Sequence, residues 1–327
     1  MKKRFLVAAV AATLISPLAA QAEATVYGNV HLSIDSVDDG SANPADGLNM
    51  NNRTSSLGVK GKEDLGGGMS ALFKMEFQVD VDERQKNITD RDQWVGLKGA
   101  MGTVKFGTMS SNYKQMGGKV DPLYRTGAEG RAHGMQSSLH SGSGDAGGRM
   151  TNTFQYTSPA MSGVTVVFNT TFTAADNNAD ETVGLGVRYK AKNILAFFDY
   201  IDVDTDLVAG NAATTTAGTE SAIKIGGTYT MDALTLGLQH ELTGDLLGED
   251  TTFLSAAYGI NDNDTVIFTF ASASADVVGG NDGAGFTLAY DHKMSKRTDV
   301  YAAYVSEDME DDNVDTDVVS FGLRHKF

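Results

Sequence analysis

Between His133 and Asp145 the chain reads HGMQSSLHSGSGD, which gathers two histidines, four serines and a carboxylate in one short stretch. Serine, imidazole and carboxylate are the parts of nucleophilic hydrolysis: the imidazole takes the serine proton and the acid orients the ring. None of these serines stands in the G-x-S-x-G setting that exposes a nucleophile on a sharp turn. Richness in glycine and serine is equally what a flexible connection has, so catalysis is the weaker reading. DVDTD at 202–206 opens like a calcium-binding loop, but Leu207 replaces the glycine of position six and Ala213 the glutamate of position twelve. The chain has no cysteine, so it has neither a disulfide framework nor thiolate ligands. The glycine groups at 66–68 and 99–102 read as turns, because a phosphate loop needs a helix after it. No metal site and no cofactor is expected.

The elements that carry these residues are the clearer signal. MKKRFLVAAVAATLISPLAAQA has a basic start, an apolar stretch and an Ala20-Gln21-Ala22 cleavage pattern, which marks 1–22 as a secretory leader. Export follows from it. Removing its three cations takes the formal net charge from −16 to −19. An acidic chain is a poor partner for nucleic acid, whose phosphates require basic patches.

From residue 23 onward the period is two. Ala71, Phe73, Met75, Phe77 and Val79 share one face, while Lys74, Glu76 and Gln78 share the other. Val26, Gly28, Val30, Leu32 and Ile34 alternate with polar residues in the same way, as do Phe286, Leu288 and Tyr290. No stretch sustains a helical period. The pattern predicts about 16 strands near 24–36, 54–62, 69–81, 91–98, 103–109, 150–158, 163–173, 182–190, 193–202, 221–230, 233–243, 251–259, 265–275, 284–292, 297–306 and 317–327. Each has about the length that a tilted strand needs to cross a bilayer.

Short connections (63–68, 99–102, 159–162, 191–192, 231–232, 260–264, 293–296) alternate with longer ones (37–53, 82–90, 110–149, 174–181, 203–220, 244–250, 276–283, 307–316). That alternation puts the short turns at one end of the sheet, as in a transmembrane antiparallel β-barrel. A soluble sandwich would not segregate its loops by length, and a solenoid would show a fixed repeat. The last residues, DVVSFGLRHKF, keep alternating to the final phenylalanine. In lipid every backbone polar group must be paired, so this last strand must close on the first, with Phe321, Leu323 and Phe327 facing lipid. Lys74, Glu76, Lys105, Arg188 and Lys224 lie on the polar parity and are expected to line the interior, since ionisable groups in a membrane barrel belong in water.

Four stretches in order resemble the general-diffusion trimeric porins of Gram-negative outer membranes: SSLGVKGKEDLGGGMSALFKMEFQ, RDQWVGLKGAMGTVKFGTMSSNYK, GRMTNTFQYTSPAMSGV and the terminal FGLRHKF. The resemblance covers the whole of 23–327. It implies a 16-stranded barrel in the outer membrane, a homotrimer set in outer-membrane lipid and lipopolysaccharide, and a third loop, 110–149, folded into the lumen. It also implies no enzymatic activity: small hydrophilic solutes and ions pass passively. By the same resemblance Arg91, Arg149 and Lys60 stand at basic positions of a constriction wall, and Asp121, Glu129 and Asp145 are the loop carboxylates that would face them. A further wall arginine is replaced by Ser56. The loop carries Lys114, Lys119, Arg125 and Arg131 as well, which leaves the sign of its field open. The acidity of the outer loops favours a weak cation preference. A substrate-selective porin for anions, phosphate or sugars is the alternative, and a barrel enzyme a more distant one. The acidic run 307–317, EDMEDDNVDTD, reads as a solvated exterior loop, or more sharply as a site for divalent cations bridging to lipopolysaccharide.

Overall fold

The computed structural model describes residues 23–38, 47–83, 88–140, 148–172, 181–203, 221–275, 282–309 and 315–327. The leader 1–22, Asp145, the greater part of DVDTD and the middle of the acidic run lie outside the described residues.

Among the described residues, alternation of apolar and polar side chains gives seventeen strands. They are β1 Glu23–Asp38, β2 Gly47–Asn52, β3 Ser56–Gly66, β4 Met69–Val79, β5 Ile88–Gly99, β6 Gly102–Ser110, β7 Arg149–Thr157, β8 Val164–Thr171 and β9 Val183–Lys190. The series continues with β10 Ile194–Asp202, β11 Ser221–Met231, β12 Leu234–Leu242, β13 Glu249–Gly259, β14 Asp264–Ala275, β15 Gly283–Lys293, β16 Thr298–Met309 and β17 Thr316–Lys326. From β3 onward each strand pairs antiparallel with the next, and β17 returns to β1. The sheet is therefore closed, which leaves no unpaired edge for lipid.

β2 and β3 share one place in the wall. β2 pairs with Leu32–Val37 of β1 and β3 with Glu23–Asn29 of the same strand. They are separated at 53–55, where Thr54 takes a left-handed φ of 60°. The barrel thus has sixteen staves made from seventeen strands. The sequence reading left 37–53 as a connection, whereas six of its residues form β2. The reason is that β1 runs on to Asp38 and offers its backbone groups to a second strand.

The seam between the two chain ends is built around Phe327. Its backbone exchanges two hydrogen bonds with Gly28, at 3.0 and 3.2 Å. Its ring lies over Gly28 so closely that a Cβ there would stand 2.6 Å from the ring edge. The terminal phenylalanine therefore closes the barrel with its backbone and covers the seam with its ring.

The two faces of the wall differ as the alternation requires. Phe321 and Leu323 are 58% and 51% exposed on the outside, while Ser320 between Val319 and Phe321 is fully buried. The largest apolar cluster is not between staves. It joins Met116, Val120, Leu123, Ala128 and Met135 of the long connection to Phe197, Phe253, Ile267 and Val305 of the wall. That connection is not without regular structure, as the sequence reading had it. It holds helix α1, Asn112–Val120, and 3-10 turns at Gly130–Ala132 and Ser138–His140. Two glycines interrupt α1 and weaken its intrinsic propensity. Its packing and the Ser111 hydroxyl, which accepts from Lys114 N–H at 3.0 Å, hold it instead. Among the described residues no helix is long and apolar enough to cross a membrane.

Candidate functional site

The site is made where 111–140 packs on the polar parity of the wall. At the start of α1, Asn112 N–H donates to Asn169 Oδ1 at 2.8 Å, and its amide donates to Asp199 at 3.0 Å and to the Tyr200 carbonyl at 3.1 Å. Arg188 donates to the Asn112 carbonyl at 3.0 Å and to Gln115 at 3.1 Å. The Lys224 ammonium donates to the Tyr113 carbonyl and lies 3.9 Å from the centre of the Tyr113 ring. Glu241, only 1% exposed, accepts from the hydroxyls of Tyr113 at 2.9 Å and Ser137 at 2.5 Å, and contacts His140 Nε2 at 3.1 Å. At the far end of α1, Ser255 donates to the Val120 carbonyl at 2.6 Å. Six consecutive strands, β8 to β13, are thereby tied to one segment.

For the described residues of HGMQSSLHSGSGD this arrangement shows where the side chains go. The Ser137 hydroxyl points to Glu241 rather than to an imidazole, and Ser137, His140 and Glu241 are all buried. The three residues anchor the segment; they do not present a nucleophile.

The opposite wall is built from paired charges. Arg91 Nε donates to Glu76 at 2.6 Å, with a second bond to Gln78 at 3.3 Å. Lys74 lies 3.1 Å from Glu76 and 3.0 Å from Asp92, and Arg149 lies 2.9 Å from Asp92. The Tyr27 hydroxyl adds a bond to Glu76 at 2.8 Å. Arg91 and Asp92 are consecutive, and strict alternation would put them on opposite faces. The β4–β5 register shifts between Met75 and Phe77, so Glu76 faces two residues of β5 rather than one. Such a bulge re-aims side chains, and here it turns both charges to the same face.

Other expected positions fall elsewhere. The Lys60 ammonium lies 4.8 Å from the centre of the Tyr27 ring, and that of Lys105 lies 4.7 Å from the Trp94 ring. Neither residue lines the two cavities described below. Glu129 accepts from Arg131 at 2.8 Å and from the Arg125 backbone at 2.6 Å. Asp121 accepts from the backbones of Leu123 at 2.8 Å and Gly130 at 2.9 Å, and burial pushes its carboxyl up to about 7 even so. The residues that sequence reasoning missed are Asp92, Asp199, Glu241, Thr54 and Tyr124. Asp92 is hidden by the bulge. Asp199 and Glu241 were legible as carboxylates in otherwise apolar strand runs, where burial of a charge demands a partner.

Two cavities lie between wall and segment. One, of about 540 Å³, is lined by Asn29, His31, Thr228, Thr235, Ser255, Arg324 and Lys326 of the wall together with Lys119, Asp121 and Pro122. The other, of about 280 Å³, is lined by Gln78, Thr89, Asp90, Arg91, Arg131 and Arg149. Both are also lined by Thr54, Lys114, Tyr124 and Arg125, which stand where the two spaces meet. Around these four the lining is strongly basic. Asp90 and Asp121 are the only carboxylates among the described lining residues, against Arg91, Lys114, Lys119, Arg125, Arg131, Arg149, Arg324 and Lys326. Burial, followed by the repulsion of Arg149, Arg131, Arg91 and Arg125, pushes the Lys114 ammonium down to about 7.

A closed antiparallel sheet with an apolar outside and a charged, buried opposite face is a membrane-spanning β-barrel. The chain belongs to the Gram-negative porins, whose family model matches residues 7–312, and its place is the outer membrane. It is 31% identical over 125 residues to the major outer membrane protein P.IB of Neisseria gonorrhoeae, a match covering 36% of this chain and 35% of that one. The P.IB protein of Neisseria meningitidis serogroup B is 30% identical over 121 residues, covering 35% and 36%. The chain thus spans about a third of the length of these relatives. Among solved structures, an anion-selective porin from Comamonas acidovorans matches with a TM-score of 0.74 at 21% identity, covering 94% of this chain and all of that one. OmpF of Salmonella typhi, in complex with daunomycin, matches with the same TM-score of 0.74 at 13% identity, covering 94% and 98%. At these identities the likeness is one of fold.

Proposed function

We propose that the polar face lines a water-filled channel for passive diffusion of small hydrophilic solutes and ions, and that 111–140 narrows it. Thr54, Lys114, Tyr124 and Arg125 form the narrowest ring. The observation that carries this reading is that two cavities, lined from opposite sides of the barrel, meet at these same four residues. Arg91, Arg149 and Asp121 stand beside the ring, Lys74, Glu76, Arg188 and Lys224 hold its walls and its loop, and Lys60, Lys105 and Glu129 lie in the surrounding wall and loop.

The channel prefers anions. The acidity of the whole chain argued for cations, but local lining sets selectivity where the path is narrow. Glu76, Asp92 and Glu129 are each engaged by a cation, whereas Lys119 and Arg125 add positive charge to the lining. Small inorganic and carboxylate anions fit this lining best. That an anion-selective porin shares the fold is consistent with it. The working unit is a homotrimer in outer-membrane lipid and lipopolysaccharide, formed after removal of 1–22. A protein of the same fold, OmpT of Vibrio cholerae, is described in a trimer form.

Current across a planar bilayer under a KCl gradient tests the proposal. Conductance steps in sets of three with a reversal potential of anion sign are expected. A reversal potential of cation sign would return the reading to the outer loops, and silence from a folded barrel would end it.

A further inference from the structure

His133 is held by acceptors on both ring nitrogens. Nδ1 lies 2.6 Å from the Glu307 carboxylate of β16, and Nε2 lies 2.9 Å from the Gly127 carbonyl. A neutral imidazole carries one N–H and one lone pair, so it satisfies only one of two acceptors. The arrangement therefore holds one proton more than a neutral imidazole and a carboxylate. We propose that His133 and Glu307 form a proton-dependent latch that pins the tip of the long connection to the wall of the channel and releases it when that proton leaves. This rests on the reading of the barrel as a channel narrowed by 111–140.

Beside the apolar packing of Ala128 and Met135 against the wall around Val305, polar ties hold the tip on this side. Gly127 N–H donates to the Tyr301 hydroxyl at 3.0 Å. Gly127 also sits so close to Ser320 and Asp35 that a Cβ would come within 2.5 Å of the Ser320 hydroxyl and 2.9 Å of the Asp35 carboxylate, so a side chain there would force these groups to move. His133 and Glu307 are mostly buried, with side chains 11% and 13% exposed. An imidazole lone pair turned on a carboxylate would repel it in that setting, with little water to screen the two.

The groups facing His133 agree with this assignment. Burial opposes its charge, but the hydrogen bond and charge of Glu307 and the Gly127 carbonyl outweigh burial and hold the imidazolium above its ordinary value. Arg53, from the break between β2 and β3, acts against the charge, and it is itself paired with Asp35 at 2.5 Å. On the same segment Glu129 is engaged by Arg131, and Asp121 holds the Gly130 N–H. Titration of Asp121 near neutrality would move the same segment, so the test must separate the two.

Glu307→Gln separates them. A glutamine amide donates to Nδ1 of a neutral imidazole, whose Nε2–H still donates to Gly127. The latch then stays shut at any pH, while Asp121 is untouched. The experiment records single channels in planar bilayers from about pH 6 to about pH 9, spanning the range in which a raised histidine loses its proton. In parallel, tryptic cleavage after Arg131 of the folded barrel is measured as the ratio of wild type to E307Q, which cancels the pH dependence of the protease.

Wild type should be quiet at the acidic end, and both its flicker and its cleavage ratio should rise several-fold at the alkaline end. E307Q should stay quiet throughout, and His133→Ala should flicker at every pH. A conducting wild type whose flicker and cleavage ratio stay flat overturns the latch, as does E307Q following wild type. A barrel that conducts nothing but whose cleavage ratio rises would overturn the channel reading and leave the latch standing.

Discussion

Arg149 of β7 and Asp92 of β5 meet at 2.9 Å across the intervening strand β6. Lys74 of β4 reaches the same carboxylate at 3.0 Å, so one aspartate ties β5 both to its neighbour β4 and to β7 beyond β6. Replacing it by asparagine leaves Arg149 without its carboxylate and Lys74 with Glu76 alone, so the same wall gains positive charge. D92N should raise anion preference, read as a larger reversal potential under a KCl gradient. It should also cost roughly 1–3 kcal/mol of stability, the range for a charged hydrogen bond lost from a half-shielded site. Unchanged selectivity would mean that the wall charges lie outside the ion path.

Glu241 is the main fastening of the long connection, with Tyr113, Ser137 and His140 all turned to it. Glu241→Ala removes the acceptor and leaves these polar groups and Lys224 buried without it, a loss on the order of 3–5 kcal/mol for a broken buried charge network. The barrel itself should survive, because its ladder of backbone bonds is untouched. The expected signature is loss of trypsin resistance at Lys119 and Arg131 with retained β-sheet circular dichroism. Retained resistance would show that the apolar cluster around Met116 and Phe253 holds the segment alone.

Lys114 makes selectivity depend on pH. Its ammonium is pushed down to about 7 by burial and by the four arginines near it, so its charge is complete below neutrality and fades above it. Anion preference should therefore fall as pH rises through about 7, and Lys114→Arg should flatten that dependence, since a guanidinium stays charged. The linkage to stability follows the same sign. A lysine depressed on folding weakens the folded state in full below its folded value, and that penalty is relieved as pH climbs toward the unfolded value. Reversal potentials of wild type and K114R at three pH values check this, and parallel slopes would remove Lys114 from the narrow ring.

The seam depends on a small residue under a large one. Gly28→Val would drive a side chain against the Ser56 carbonyl and into the Phe327 ring, at about 1–3 kcal/mol for overpacking a close contact. The folded form should then convert to the unfolded form at a lower temperature on a semi-native gel. Deleting Phe327 should act in the same direction by removing both bonds to Gly28. A variant that melts with wild type would show that the neighbouring β1–β17 pairs suffice to close the barrel.

The sequence by itself determined the wall. Side-chain direction in a strand reverses at every residue, so the alternation in stretches such as 71–79 and 317–327 states which face meets lipid without reference to any other part of the chain. Connection lengths gave the closed barrel, and the order of four stretches gave the family. Only the tertiary structure decided which charges meet. Arg91 and Asp92 share a face because of a register shift against β4, and register is a property of two strands, not of one. Helix α1 is likewise a product of its surroundings: its two glycines give it little propensity, and Asn169, Asp199, Lys224 and Glu241 hold it from distant strands. One signal of that contact was written in the sequence: Phe197, Phe253 and Ile267 put apolar side chains on the polar parity, and these are the places where the long connection lies. Such residues break the local pattern because the face they occupy is dry, and dryness there is set by a segment more than fifty residues away.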